Sequence, residues 1–588
     1  MGLFSNLYIG TSGLQSSQEA LNMVAHNVTN ADTEGYTRQQ VSYGTREYNR
    51  LSHSNIGVSM KQTGLGVYIT EVRQVRDRFV DASYRNQAGR QGFYDESYSA
   101  IEEIEGIFGE LDGPTFENAM DSLQTALAEL AKEPTSEVKQ TMVVQYANSF
   151  VEAAQNVYKD LSNYQDKLND RVQGAVDEIN SLGHQIYDLN LKIRKIATGG
   201  VENPNDLYDQ RNLALDKLGA LVNITYREDT YGNVLVKVEN HDFVTMNNVN
   251  EMGCQAEDDE TVGEPGFYNV FWTDAATVES RDEHGNILTY EQNTVRNNPN
   301  TDPPTVATGA VYNWDLPISS KLDTDVGSLK GLLLARGDHR GNFTDLADEE
   351  SYAKVADSVM MNVMAEFDGL VHNAVQAMNG ILEEAAQAVD PAFGYLRDEN
   401  GQIIQLFQRI SCEDYDAAGD LVREDLPETI VNPYTGQKTR YAGDNTTWFT
   451  TSNLVVNEEL RKYPTKLGLK LPDASEDGGN GTAEKLRDVF QSEDYLLNPT
   501  LANKTSLRRY YANFVAQIAN SGNVYQNLKD NQDLTVEAIE ANRQGSIGVA
   551  TDEELANMVK YQNAYNASSR FINVIDECIE HIINTLGS

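Results

Sequence analysis

Both ends of the chain carry apolar residues spaced for helix–helix packing, and this limits the folds open to it. Towards the C-terminus, Met558, Tyr561, Tyr565, Ser568, Ile572, Ile575, Ile579, Ile582 and Leu586 follow one another at intervals of three and four residues. Only Ser568 interrupts the apolar run. The mean period, roughly 3.5 residues, is that of a coiled-coil stripe. Near the N-terminus, Leu7, Leu14, Leu21 and Val28 recur every seven residues, with Val24 between the last two. Chain ends fray unless something ties them down, and neither stripe is stable facing water. They bury against each other, against neighbouring subunits, or both. A plainer reading is two amphipathic helices closing one globular core.

The 588 residues leave room for several domains, and 40% hydrophobic with 9% aromatic residues can fill real cores. A formal charge of −43, from 89 Asp+Glu against 46 Lys+Arg, argues against nucleic acid. Such a partner requires a basic footprint. Anionic membrane surfaces are disfavoured for the same reason, and no apolar run approaches membrane-spanning length. Cys254, Cys412 and Cys578 are too few and too dispersed for a disulfide framework or a zinc site. No Lys or Arg precedes Arg38, so the N-terminus lacks the charged start of a signal peptide. The expectation is a cytoplasmic protein, or one exported by a route that does not read such a peptide.

The pattern along the chain predicts a mainly α protein with inserted β material. Residues 1–45 form a terminal helix and turn that pairs with 548–588. Residues 46–227 comprise an extended connector and a long-helix domain. The stripe from Val157 through Leu161, Leu168, Ile179, Ile186 and Ile193 to Ile196 carries that helix, and Gly199-Gly200 is expected to end it. Alternating Val234, Val236 and Val238 and an aromatic cluster around Phe271 and Trp272 predict an inserted β domain at 228–320. Helical segments follow at 321–389 and 490–547, both expected to pair with the long-helix domain, with a mixed, turn-rich insertion at 390–489 between them. The whole reads as nested, with terminal helices outermost in the sequence and β material in the middle.

No catalytic constellation is present: GxxxxGK[ST], HExxH and GxSxG are all missing. His339 reads as a turn residue. Asp473, Ser475, Asp477, Gly478 and Glu484 fall at calcium-loop positions, but Asn480 stands where an apolar residue belongs and Pro472 where an entering helix should end. The pair Glu553-Glu554 reads as a solvated face or as charge at a helix N-terminus. The expectation is therefore no enzyme activity, no cofactor and no metal.

Asn27, Asn30, Thr33, Gly35, Tyr36 and Arg38 resemble the N-terminal signature of the flagellar axial family, which comprises rod, hook and hook-associated proteins. Asp209-Gln210-Arg211 and Gly327-Ser328-Leu329-Lys330-Gly331 are similar to segments of its hook-associated members, and so is Asp552 to Arg570. The resemblance implies a structural subunit of the bacterial flagellum at the first hook–filament junction. Its implied partners are copies of itself in a ring, hook protein, a second junction protein, an export chaperone at the C-terminal helix, and the export apparatus. The implied location is the flagellum outside the cell, reached without a cleaved signal peptide. Hook protein or the second junction protein remains an alternative, as does a secreted adhesin binding through residues 228–320.

Overall fold

The computed structural model describes residues 3–46, 49–50, 62–63, 65–109, 116–197, 203–256, 266–282, 287–291, 309–314, 316–389, 395–397, 401, 403–409, 429–431, 438–440, 449–467, 469 and 480–586. Helix α1 (Leu3–Thr29) leads into strands β1 (Gln39–Thr45), β2 (Asn49–Arg50), β3 (Gln62–Thr63) and β4 (Val67–Gln74). Helices α2 (Arg78–Phe108), α3 (Phe116–Lys132), α4 (Glu137–Ala197) and α5 (Asn205–Leu221) follow. Seven strands come next: β5 (Ile224–Glu228), β6 (Val234–Val238), β7 (His241–Val244), β8 (Met252–Ala256), β9 (Tyr268–Trp272), β10 (Val278–Arg281) and β11 (Ile287–Tyr290). Then come α6 (Ser328–Arg336), α7 (Glu349–Val355) and α8 (Val359–Gln387), with a 3-10 turn at Phe343–Leu346. Short strands β12 (Phe407–Arg409), β13 (Thr429–Val431), β14 (Lys438–Arg440) and β15 (Leu454–Val456) precede α9 (Glu458–Lys462) and α10 (Asn480–Asp488). The chain closes with α11 (Leu507–Ile547) and α12 (Thr551–Leu586). It is a mainly α protein with small antiparallel sheets set between helices.

Two compact units divide the chain. The first comprises residues 1–91, 178–251 and 531–588, and the second 92–177 and 252–530. The chain enters and leaves each unit more than once, which is the nested order read from the sequence. Residues 228–320, expected as one inserted β domain, are divided between the units at 251/252. The reason is local anchoring. In the first unit β5, β6 and β7 form one antiparallel sheet, and Asn190 of α4 holds its middle strand, donating to Val234 O and accepting from Val234 N. Glu239 and Asn240 both take positive φ at the β6–β7 turn, as a tight primed hairpin turn demands. The long helix expected over 490–547 begins only at Leu507, because Pro499 and the turn through Ser506 cannot continue a helix backwards.

In the second unit, α8 is buried along most of its length and meets a cluster of aromatic rings. Phe367 lies 5.6 Å from Phe108 and 5.0 Å from Phe116 between ring centroids, and Phe108 lies 5.0 Å from Phe514. On α4, Val172 is fully buried, while Arg171 turns outward to Glu96. Phe367→Ala is expected to destabilise this unit by about 3–5 kcal/mol in urea unfolding, the usual cost of an emptied aromatic site.

Two carboxylates are buried in α8 with no cation paired to them among the described residues. Glu366 accepts from Asn498 Nδ2 and Gln517 Nε2, and Asp368 from Phe343 N, Thr451 N and Thr451 Oγ1. Burial pushes Glu366 up to about 7 and Asp368 up to about 6, partly offset by those hydrogen bonds. Between an unfolded value of 4.5 and about 7, native Glu366 holds a proton that the unfolded chain has lost. Its contribution to stability therefore falls as pH rises through that window. Glu366→Gln should be more stable than wild type at pH 8, with the difference closing towards pH 4.5. Parallel stability–pH curves for the two proteins would overturn this.

Candidate assembly site at the paired termini

Helix α1 lies along α12 within the first unit, and the closest approach is made by small residues. A Cβ at Gly10 would come within 2.8 Å of Ile572 Cγ1, and one at Gly13 within 2.9 Å of Ser568 Oγ. Ala20 and Val24 are buried on the same stretch, whereas Leu7, Leu14, Leu21 and Val28 stay half-buried beside it. On α12, Ile575 is buried, and Met558, Tyr561, Tyr565, Ser568, Ile572 and Ile579 are partly covered. Ile582 is 38% exposed, and the side chain of Leu586 lies outside the described residues. Away from that contact α12 shows Leu555, Val559, Val574 and Ile583 to solvent, while Phe571, partly exposed, reaches back towards Gly10.

The turn after α1 is fixed by the residues singled out from the sequence. Asn30 bonds back to His26 O through its own N–H and through Nδ2, and Thr33 Oγ1 donates to Asn30 Oδ1. Gly35 takes φ +77, where side chains are disfavoured, and packs against Leu213. Tyr36 Oη donates to Asn27 Oδ1 at 2.8 Å. Burial and the nearby Asp209 carboxylate hold that phenol well above its ordinary range, so it remains a donor. Asn27 bonds both backbone groups of Gln39, accepting from N at 3.1 Å and donating to O at 2.9 Å. Its Nδ2 also donates to Glu554 Oε2 at 3.1 Å.

Three distant segments meet here. Arg38 grips Glu554 at 2.8 Å and Glu553 at 2.9 Å, while its backbone N–H donates to Ile547 O. Glu554 does occupy the first turn of α12, but it is 2% exposed and not part of a solvated face. Asp209 Oδ2 accepts from Thr37 N, and Asp209 Oδ1 from Gln74 Nε2 at 2.7 Å. Burial pushes the Asp209 carboxyl up to about 6 against the pull of those bonds. Arg211 is buried and donates to Asn190 Oδ1, Gly232 O and Glu228 Oε1, tying α5 to the sheet. Gln210 is exposed and takes no part.

A second group of charges lies close by. Arg76 pairs with Asp81 at 2.5 Å and Arg85 with Asp216 at 2.6 Å, and Arg543 of α11 reaches both Asp81 and Asp216. Asp216 and Arg543 were not marked in the sequence, and Glu554 only as a solvated face or helix N-terminal charge within the family-like segment Asp552 to Arg570, so no signal joined the three.

The histidine and metal readings add nothing to this arrangement. His339 bridges Asp338 and Asp345 in a turn of the second unit. The calcium-loop positions Asp473, Ser475, Asp477 and Gly478 lie outside the described residues, as do Cys412 and Gly199-Gly200. Among the described residues no group of His, Cys, Asp and Glu could hold a metal, and no helix is long and apolar enough to cross a membrane.

Asn27→Ala should strip partners from the Gln39 backbone and from Tyr36. The expected cost is about 1–3 kcal/mol for each buried group left unpaired. Amide hydrogen exchange at residues 36–40 should accelerate more than at residues 143–161. Gly10→Val should open the α1–α12 contact at a cost of about 1–3 kcal/mol by overpacking, read as faster exchange along α1. Unchanged protection in that variant would mean that the close approach is dispensable.

Residues 101–390 match the family described as the flagellar hook-associated protein FlgK helical domain. Residues 7–37 match the flagella basal body rod protein family, and 543–585 the C-terminal family of flagellar basal body rod FlgEFG proteins. Flagellar hook-associated protein 1 of Bacillus subtilis is 25% identical over 586 residues, covering 99% of this chain and 98% of that protein. Its counterparts in Escherichia coli and Salmonella typhimurium are each 22% identical, covering 97% of this chain and 98% of theirs. The near-complete coverage, and family matches that take in both the paired termini and the helical middle, place the chain in the flagellar hook-associated protein 1 family.

Proposed function

We propose that the chain is a structural subunit of the bacterial flagellum that forms the junction between hook and filament, with the paired terminal helices as its assembly element. The observation that carries this reading is the unequal burial of α12. One face is turned towards Gly10 and Gly13, while Leu555, Val559 and Val574 away from it remain 47–57% exposed. An apolar strip of that extent on a chain this acidic calls for cover by other subunits. Copies of the chain in a ring, with hook protein on one side and a second junction protein on the other, would provide it. The same strip suits an export chaperone that shields α12 before assembly, and passage through the flagellar export apparatus to the cell exterior follows from that role. The relatives are named for their association with the flagellar hook, and a structural role there needs no active site.

Cells lacking the chain should show bare hooks by electron microscopy, with filament protein released to the medium. Ile572→Asp combined with Ile579→Asp places two charges on the covered face of α12, at a cost of several kcal/mol if the helix still packs. That variant should fail to restore filaments although its second unit folds normally. Wild-type filament growth from the double variant would reduce α12 to an intramolecular filler.

A further inference from the structure

The first unit contains a cleft of about 910 Å³ whose charge is opposite to that of the chain as a whole. Six arginines line it: Arg73, Arg76, Arg78, Arg85, Arg211 and Arg227. Their carboxylate partners do not balance them. Arg76 is paired with Asp81 and Arg85 with Asp216, while Arg78 and Arg211 share Glu228. The Arg73 and Arg227 side chains are exposed, and among the described residues neither makes an ion pair or a hydrogen bond. On a chain with formal charge −43, two unpaired guanidinium groups on one concave surface require an explanation.

We infer that this cleft binds an acidic polypeptide segment, with adjacent carboxylates held by Arg73 and Arg227 and an apolar side chain resting on Phe79. The deeper arginines are rigid. Arg85 stacks 4.6 Å from the Tyr226 ring and Arg211 5.1 Å from the Tyr208 ring, so their planes are fixed and their charge stays in place beneath the cleft. The rim supplies free forks, whose planar donors fit a carboxylate through two parallel hydrogen bonds. Phe79 follows the lining residue Arg78 at the start of α2, outside the cleft itself, and its 79% exposure is an independent sign of a protein partner that extends beyond the cleft. Aromatic residues and arginine together are the composition enriched in protein–protein interfaces. A small anion would engage the guanidinium groups and leave Phe79 uncovered, so the aromatic ring favours a polypeptide. A nucleic acid is poorly served, because the rest of the surface repels it.

The test uses the full chain and a fluorescent peptide of six glutamates followed by one leucine, with binding read by anisotropy. Binding should be saturable and should weaken as salt rises, since the rim charges are screened. Arg73→Glu with Arg227→Glu should weaken it by about tenfold or more. Arg73→Gln with Arg227→Gln should give an intermediate loss, and circular dichroism should be unchanged in both, because these side chains support no neighbour. Lys321→Glu with Lys354→Glu, the same charge change on two exposed residues of the second unit, should bind as wild type does. Loss of binding in this lysine double variant equal to that in the arginine double variant would reduce the effect to bulk charge and overturn the proposal, as would full binding by the arginine double variant. Displacement of the peptide by equimolar pyrophosphate would identify a small-anion site and equally overturn it.

Discussion

The carboxamide of Asn27 holds the first unit together. It satisfies the N–H and the C=O of Gln39 simultaneously, so the chain leaving α1 must fold back and enter β1 at one register, with Gln39 opposite Gln74. That register brings Gln74 to Asp209, and the same turn brings Arg38 to Glu554. One side chain thus sets the positions of α5 and of the first turn of α12. Buried amide groups are worth little net when paired and cost much when orphaned. The arrangement is accordingly all-or-none: losing one bond exposes the others to the same penalty.

Buried carboxylates are handled in two ways. In the first, carboxylates such as Asp81, Asp216 and Glu554 lie against arginines. In the second, Glu366 and Asp368 are buried among neutral donors, and their carboxyls are pushed up instead. The first solution fixes geometry, because a guanidinium fork accepts few orientations. The second leaves a store of unfavourable desolvation that protonation relieves.

What could be read from the sequence follows from how local each signal is. The C-terminal stripe was legible because helix periodicity depends only on near neighbours, and Ile572, Ile575 and Ile579 all turn towards α1 or are partly covered. The helical middle was legible for the same reason. The inner face of α1 was not: hydrophobic spacing drew attention to Leu7, Leu14 and Leu21, whereas the close contact falls to Gly10 and Gly13, whose value appears only once a partner helix is known. Asn27, Tyr36, Arg38, Asp209 and Arg211 could be recognised as a pattern, but their bonds cross up to 527 residues of chain and no spacing rule predicts them. The division of 228–320 escaped for a related reason. Period-two alternation identifies strands without saying which body they join, and that is decided by Asn190 on a helix far upstream.

The glycine-lined contact between α1 and α12 has a consequence for the order in which the protein is made. Glycine and serine are weak helix formers, and α1 buries little apolar surface of its own, so α1 depends for its stability on Ser568 and Ile572. Those residues leave the ribosome more than 500 positions later. Helix α1 is therefore made long before it is secured, and a chain interrupted before residue 568 leaves it loose. Synthesis of α12 is thereby read out by the fold itself: only a molecule that contains Ser568 and Ile572 can close the pair.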